Sequence, residues 1–240
     1  MSSAPGNLAE ASAQPIELID TAEIPGGGQL VLRQCGKDFA IEYGDIQLMV
    51  SWASRSERAL ATLACQRIAT PDSRMLIGGL GMGFTLVAAL AALPASARIV
   101  VAELVPAVLE WAKGPLAHLF GDALQDERVT VTIRDVYDLI VHSHEDFDAI
   151  LMDVDNGPDG LIHVPNDRIY SREGLAMCHA ALRPGGVLAI WSGYPDPGFA
   201  DELEDAGFIV EEISMRTGEN GRGDKHVIWL ATREQGTPPA

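Results

Sequence analysis

Positive charge is scarce: 17 of the 240 residues are Lys or Arg, against 34 Asp or Glu, so the formal net charge is −17. That balance argues against binding a nucleic-acid backbone, which needs Lys and Arg gathered on one face. It suits a cationic small substrate, and equally serves solubility. Cysteine is sparse too. Cys35, Cys65 and Cys178 lie far apart with no C-x-x-C pair, which argues against zinc or thioredoxin-like chemistry and leaves no metal expected. The odd count and the start "MSSAPGNLAEASAQP", with neither basic residues nor an apolar core, fit a reducing, cytoplasmic setting. No apolar run is long enough to span a bilayer, so no membrane is expected as a partner. No internal repeat stands out.

Hydrophobic residues make up 47% of the chain, enough for one well-buried domain with a small addition. Residues 1–15 read as a disordered tail and 233–240 as a second tail. Residues 16–53 read as a β-strand region, because "GGGQLVLRQCGKDFAIEYGDIQLMV" alternates apolar positions and is broken by Gly36-Lys37 and Gly44-Asp45, both hairpin signals. From Ser54 to Ile68 the spacing of Ala59, Leu60, Leu63 and Ala64 predicts an amphipathic helix.

Beyond that, strands and helices alternate to about residue 232. Strands are expected at Arg74 to Ile77 and within "ARIVVAEL", "RVTVTIRD", "FDAILMDVD" and "GGVLAIWSG"; "FIVEEISM" and "HVIWLATR" read as a closing antiparallel pair. Buried β-branched runs alternating with helices predict an α/β fold: a doubly wound, mostly parallel seven-stranded Rossmann-like sheet over 54–232. Ligands of such sheets lie at the carboxyl ends of the strands, so the residues just after each strand carry the functional reading.

After the first strand stands "IGGLGMG", in which Gly79, Gly81 and Gly83 alternate with Leu80 and Met82. Its backbone N–H groups and the helix that follows make a polar shelf without side chains. The G-x-G-x-G spacing departs from the dinucleotide G-x-G-x-x-G, which places a dehydrogenase last among the readings. After the second strand stands Glu103, some twenty residues past the loop, where an acid accepts hydrogen bonds from ribose hydroxyls. After the third stand Asp135 and Val136: the carboxylate can take an exocyclic amine and the apolar neighbour can cover an adenine ring, although Asp also caps helices. After the fourth stand Asp153 and Asp155 in "MDVDNGPDG", two carboxylates able to hold a cationic amine and accept its proton, or turn formers before Asn156-Gly157-Pro158. With no phosphate to hold, this set describes a nucleoside-sulfonium site. Met49 and Trp52 read as core or interface, and Trp191 as a wall of the site or as core.

Together these residues resemble the class I S-adenosylmethionine-dependent methyltransferase fold and, within it, the spermidine synthase-like (aminopropyltransferase) family. "DIQLMV" looks like that family's G-x-x-Q strand, "IGGLGMG" like its glycine loop, "RDVYD" like its adenine-side pair, and "RIYSREGLAMCHAALRPGGVLAIW" like its L-Y-S/T segment and L-x-P-G-G turn. The resemblance implies a donor, S-adenosylmethionine or its decarboxylated form, held as co-substrate by Gly79, Gly81, Gly83, Glu103, Leu104, Asp135 and Val136. It implies a small-molecule amine acceptor contacted by Gln47, Asp155 and Tyr170, with Asp153 catalytic, and a homodimer through the N-terminal strands. The chain departs from the pattern in three places. Gly81 stands where the family carries an Asp that helps hold the amine of the aminopropyl tail. The second acid comes two residues after Asp153, where three is usual. Ser56, Glu57, Arg58 and Thr62 replace the expected tyrosine-bearing helix. These departures point away from a standard spermidine synthase. The expected reaction is alkyl transfer of aminopropyl type from a sulfonium donor to an amine; an ordinary methyltransferase and a non-catalytic adenosyl-binding protein stay open beside it.

Overall fold

The structure, a computed structural model, describes residues 15–68, 70–154, 167–217 and 223–235. The expected tails are therefore outside the described residues, apart from a few positions at their inner ends, and so is Asp155. Four strands open the chain: β1 (Ile16–Glu23), β2 (Gln29–Cys35), β3 (Asp38–Tyr43) and β4 (Ile46–Val50). They pair in sequence order as an antiparallel sheet, and the last two hairpins turn on Gly36-Lys37 and Gly44-Asp45 as the dipeptides predict.

Helix α1 (Arg55–Cys65) follows, and its buried face is Ser56, Glu57, Leu60, Ala61 and Ala64. The 3- and 4-residue steps are those of an amphipathic stripe, with one acid inside it. The main sheet comprises β5 (Arg74–Gly78), β6 (Arg98–Glu103), β7 (Val129–Ile133), β8 (Phe147–Met152), β9 (Leu182–Ser192), β10 (Phe208–Arg216) and β11 (Lys225–Arg233). Its order is β10-β11-β9-β8-β5-β6-β7, with β5 to β9 parallel and β10 and β11 antiparallel. Between the strands lie α2 (Phe84–Ala92), α3 (Pro106–Lys113), α4 (Ala117–Phe120), α5 (Val136–Val141), α6 (Asp167–Tyr170), α7 (Arg172–Ala181) and α8 (Phe199–Asp205). The α/β expectation holds. Sequence periodicity had not marked α4, α5 or α6, each too short to show a repeat.

Strand order reverses between β5 and β8. The chain leaves β5 toward β6 and β7, then returns to lay β8 on the other side. The residues just past these two strands are thus brought together at the switch point. The Asp153 N–H donates to the Gly78 carbonyl at 3.0 Å, and the Gly79 N–H to the Ala102 carbonyl at 2.9 Å. The small sheet shares the core of the large one: Ile24, Leu30, Leu32 and Ile41 join Leu60, Met75, Ile77 and Met82 in one apolar cluster. The Trp111 indole N–H on α3 donates to Asp20 on β1 at 2.7 Å, tying the two sheets at their margin.

Candidate active site

A cavity of about 150 Å³ opens at the switch point. Gly79, Gly81, Glu103, Leu104, Asp135 and Val136, singled out in the sequence, line it. Asp153 and Glu57 border it as well, and Leu48, Met49 and Trp191 wall it. Gly83 sits one step behind, as the residue that opens α2.

The glycine loop is shaped by close approach. Gly79 has φ +89°, and a Cβ there would lie 2.3 Å from the Asp153 carbonyl oxygen. Only glycine lets β5 and β8 release their chains this close together. Gly81 has φ +47°, and a Cβ there would lie 2.7 Å from the Met49 methyl. The Met49 sulfur also accepts from the Met82 N–H at 3.0 Å. Met49, expected as core or interface, therefore lies over the loop at the position where the family pattern has an acid.

Glu103 is buried at the end of β6. One oxygen accepts from the Leu80 N–H at 2.9 Å and the other from the Val105 N–H at 2.8 Å, so the acid fixes the loop. Burial pushes its pKa up, and these backbone donors oppose the shift. Asp135 caps α5: one oxygen accepts from the Tyr137 N–H at 2.9 Å, and the other is paired with Arg168. The capping role weighed in the sequence is thus present, on a residue that also borders the cavity.

Asp153 stands just past β8, and its Oδ2 accepts from the Thr85 hydroxyl at 2.5 Å. Burial pushes its pKa up to about 6, and the Thr85 bond opposes the shift. Glu57 enters from α1. Burial first, then the charge of Asp153, push its pKa from 4.5 up to about 7, against the hydrogen bond from Ser56 and the charge of Arg58. Three acids of raised pKa, Glu57, Glu103 and Asp153, thus line one cavity, an arrangement typical of sites that handle protons.

The raised pKa of Glu57 has a measurable consequence for stability. Between pH 4.5 and about 7 the folded chain keeps a proton on Glu57 that the unfolded chain has lost. The unfolded state then binds fewer protons, so stability falls as pH rises through that window. Glu57→Gln removes this contribution, and the variant should gain up to about 3 kcal/mol over wild type by pH 8, with little gain at pH 4. Urea denaturation of both proteins across that range measures it; parallel curves would contradict a buried, proton-retaining Glu57.

Two expected contacts lie elsewhere. Gln47 is half-buried on β4, across from Glu42, and is not among the residues lining the cavity. Tyr170 is buried in the apolar layer on the other sheet face, its ring edge-on to Phe199 at 5.9 Å. Sequence reasoning left Glu57 and Thr85 out of the site. The signal for Glu57 was present: an acid in register with Leu60, Ala61 and Ala64 on the apolar stripe of α1. Thr85 carries no such mark. Among the described residues no cluster of three His, Cys, Asp or Glu is arranged to hold a metal, and no helix is long and apolar enough to cross a membrane.

The family model described as spermine/spermidine synthase domain matches residues 55–196, more than half of the chain. The chain belongs to that family. A polyamine aminopropyltransferase of Mycobacterium tuberculosis is 33% identical over 105 residues, covering 42% of this chain and 19% of the relative. The chain spans about a fifth to a third of the length of the curated relatives it matches. Among solved structures, spermidine synthase from Thermotoga maritima aligns with TM-score 0.72 at 16% identity, over 90% of this chain and 72% of that one. A spermidine synthase in complex with the transition-state analogue AdoDATO aligns with TM-score 0.71 at 17% identity, over 90% and 73%. These two likenesses establish the fold.

Proposed function

We propose that the chain is a transferase that moves an aminopropyl-type group from decarboxylated S-adenosylmethionine to a small amine. The observation that carries the reading is the meeting of Glu103 and Asp153 on one cavity, within the segment that matches the spermine/spermidine synthase domain. The names of the relatives support the same reaction class. Glu103 and the glycine loop hold the nucleoside, and Leu104 and Val136 cover its base. Asp153 draws in the amine and orients its lone pair toward the methylene carbon beside the sulfonium. A C–N bond forms as the C–S bond breaks, the sulfur leaves as a neutral thioether, and the nitrogen gives up a proton. Placing both reactants in line supplies about 7–11 kcal/mol of such a barrier. Asp155, expected from the resemblance to contact the acceptor, lies outside the described residues, and no step calls for a metal. A cytoplasmic enzyme paired through its N-terminal strands belongs to the same reading. The open edge of β1, with Ile16 and Leu18 exposed, supports the pairing, and sedimentation would measure it.

One observation favours a second reading, methyl transfer from S-adenosylmethionine itself. Gly81 offers no acid to an amine-bearing tail, and Met49 covers that spot with an apolar group. Calorimetric binding of the two donors side by side separates the readings. The aminopropyl reading requires tighter binding of the decarboxylated donor, whereas preference for S-adenosylmethionine overturns it in favour of methyl transfer. The variant Gly81→Asp combined with Met49→Ala should then bind the decarboxylated donor about 10-fold more tightly than wild type, the worth of one charge-assisted hydrogen bond.

A further inference from the structure

We propose that Ser56 and His226 form a proton exit for this site, passing the proton that the acceptor amine loses from Glu57 to the imidazole of β11. The proposal rests on the alkyl-transfer reading above and extends it to residues outside the cavity.

The Ser56 hydroxyl oxygen lies 2.7 Å from Glu57 Oε2 and 2.8 Å from His226 Nδ1. Ser56 is completely buried. A hydroxyl carries one hydrogen, so it donates to one of these neighbours while accepting from the other. Two arrangements follow. With Glu57 ionised, Ser56 donates to the carboxylate and accepts from the imidazole Nδ1–H. With Glu57 protonated, the acid donates to Ser56, and Ser56 donates to a bare Nδ1. Conversion of the second arrangement moves one proton from Glu57 to Ser56 as another moves from Ser56 to His226. Heavy atoms stay in place, and no oxidant or other co-reactant is required. The resulting imidazolium is half-buried and passes its proton to water.

The surroundings suit this role. His226 is held edge-on to Trp191, with ring centroids 4.8 Å apart, and Trp191 is itself a wall of the cavity. Among the described residues, the charged groups acting on the path are Glu57 and Arg58 from α1, Asp153 from the end of β8, and Asp224 just before β11. Burial lowers the pKa of His226, and Asp224 opposes the shift. Glu57, pushed up to about 7, is the better proton acceptor of the two, and the imidazolium, its pKa lowered, is the stronger acid that gives its proton up to water. A carboxylate of ordinary pKa would be a poorer acceptor for an amine proton.

The test uses the full chain as wild type, Ser56→Ala, His226→Asn and Glu57→Gln, with two readouts. The first is the titration of His226 followed by nitrogen NMR without substrate, in wild type, Ser56→Ala and Glu57→Gln. In wild type the imidazole signal should show a second inflection from Glu57, and both Ser56→Ala and Glu57→Gln should abolish it. The second is kcat and KM against pH with decarboxylated donor and a diamine. Ser56→Ala and His226→Asn should each lose about 10-fold or more in kcat at unchanged KM, with partial recovery of His226→Asn on adding imidazole. A single-step His226 titration, identical in wild type, Ser56→Ala and Glu57→Gln, overturns the proposal. So does Ser56→Ala with the wild-type kcat and pH profile. If wild type turns over no amine while the coupled titration is present, the alkyl-transfer reading fails and the coupled triad stands.

Discussion

Asp153→Asn is expected to lower kcat by about 10²–10⁴-fold, the range for losing a positioned acid–base group. Donor affinity should stay close to that of wild type, because the proposed nucleoside contacts are Glu103 and the glycine loop, and Asp153 meets that loop through its backbone, which the substitution leaves in place. The amide can still accept a hydrogen bond from Thr85, so the local structure should survive. It can neither attract an ammonium ion nor take up its proton. Steady-state kinetics and donor calorimetry on the same preparation check both halves of the expectation. Loss of kcat and of donor binding together would make Asp153 a structural residue. Retention of kcat would remove it from the reaction.

The second large effect is on donor binding. Glu103→Gln should weaken binding of the sulfonium nucleoside by about 100-fold, from the loss of charge-assisted hydrogen bonds worth about 1.5–3 kcal/mol each. The substitution keeps the volume but turns one acceptor edge into a donor. That edge would face either the Leu80 N–H or the Val105 N–H, both of which now point at a carboxylate oxygen. The loop therefore loses an anchor as the ribose loses an acceptor. Circular dichroism establishes that the fold persists, and calorimetry gives the affinity. Unchanged affinity would confine Glu103 to holding the loop.

The parts of the site visible in the sequence are those that follow from strand order. Gly79 and Asp153 directly follow strands of the parallel sheet, Glu103 ends one and Asp135 comes two residues past another, and that topology delivers strand ends to one edge whatever the details of packing. The last two hairpins of the small sheet were legible for a related reason, since each of those turns is announced by two adjacent residues. Contacts between distant elements were not legible. Ser56 and His226 are 170 positions apart, and their meeting depends on how α1 lies across β9 and β11. Met49 read as core because a single apolar residue in a strand gives no sign that it reaches over a loop. Gln47 and Tyr170 entered through resemblance alone. Gln47 stands off the cavity lining, and Tyr170 packs in the apolar layer across the sheet.

The most direct measurement of the central claim is product analysis. The purified chain is incubated with decarboxylated S-adenosylmethionine and a panel of linear diamines and polyamines, then separately with S-adenosylmethionine and the same panel. The account predicts amine-dependent release of methylthioadenosine from the decarboxylated donor, with one N-alkylated amine formed for each. Release of S-adenosylhomocysteine from S-adenosylmethionine, with no methylthioadenosine from the other donor, would contradict it.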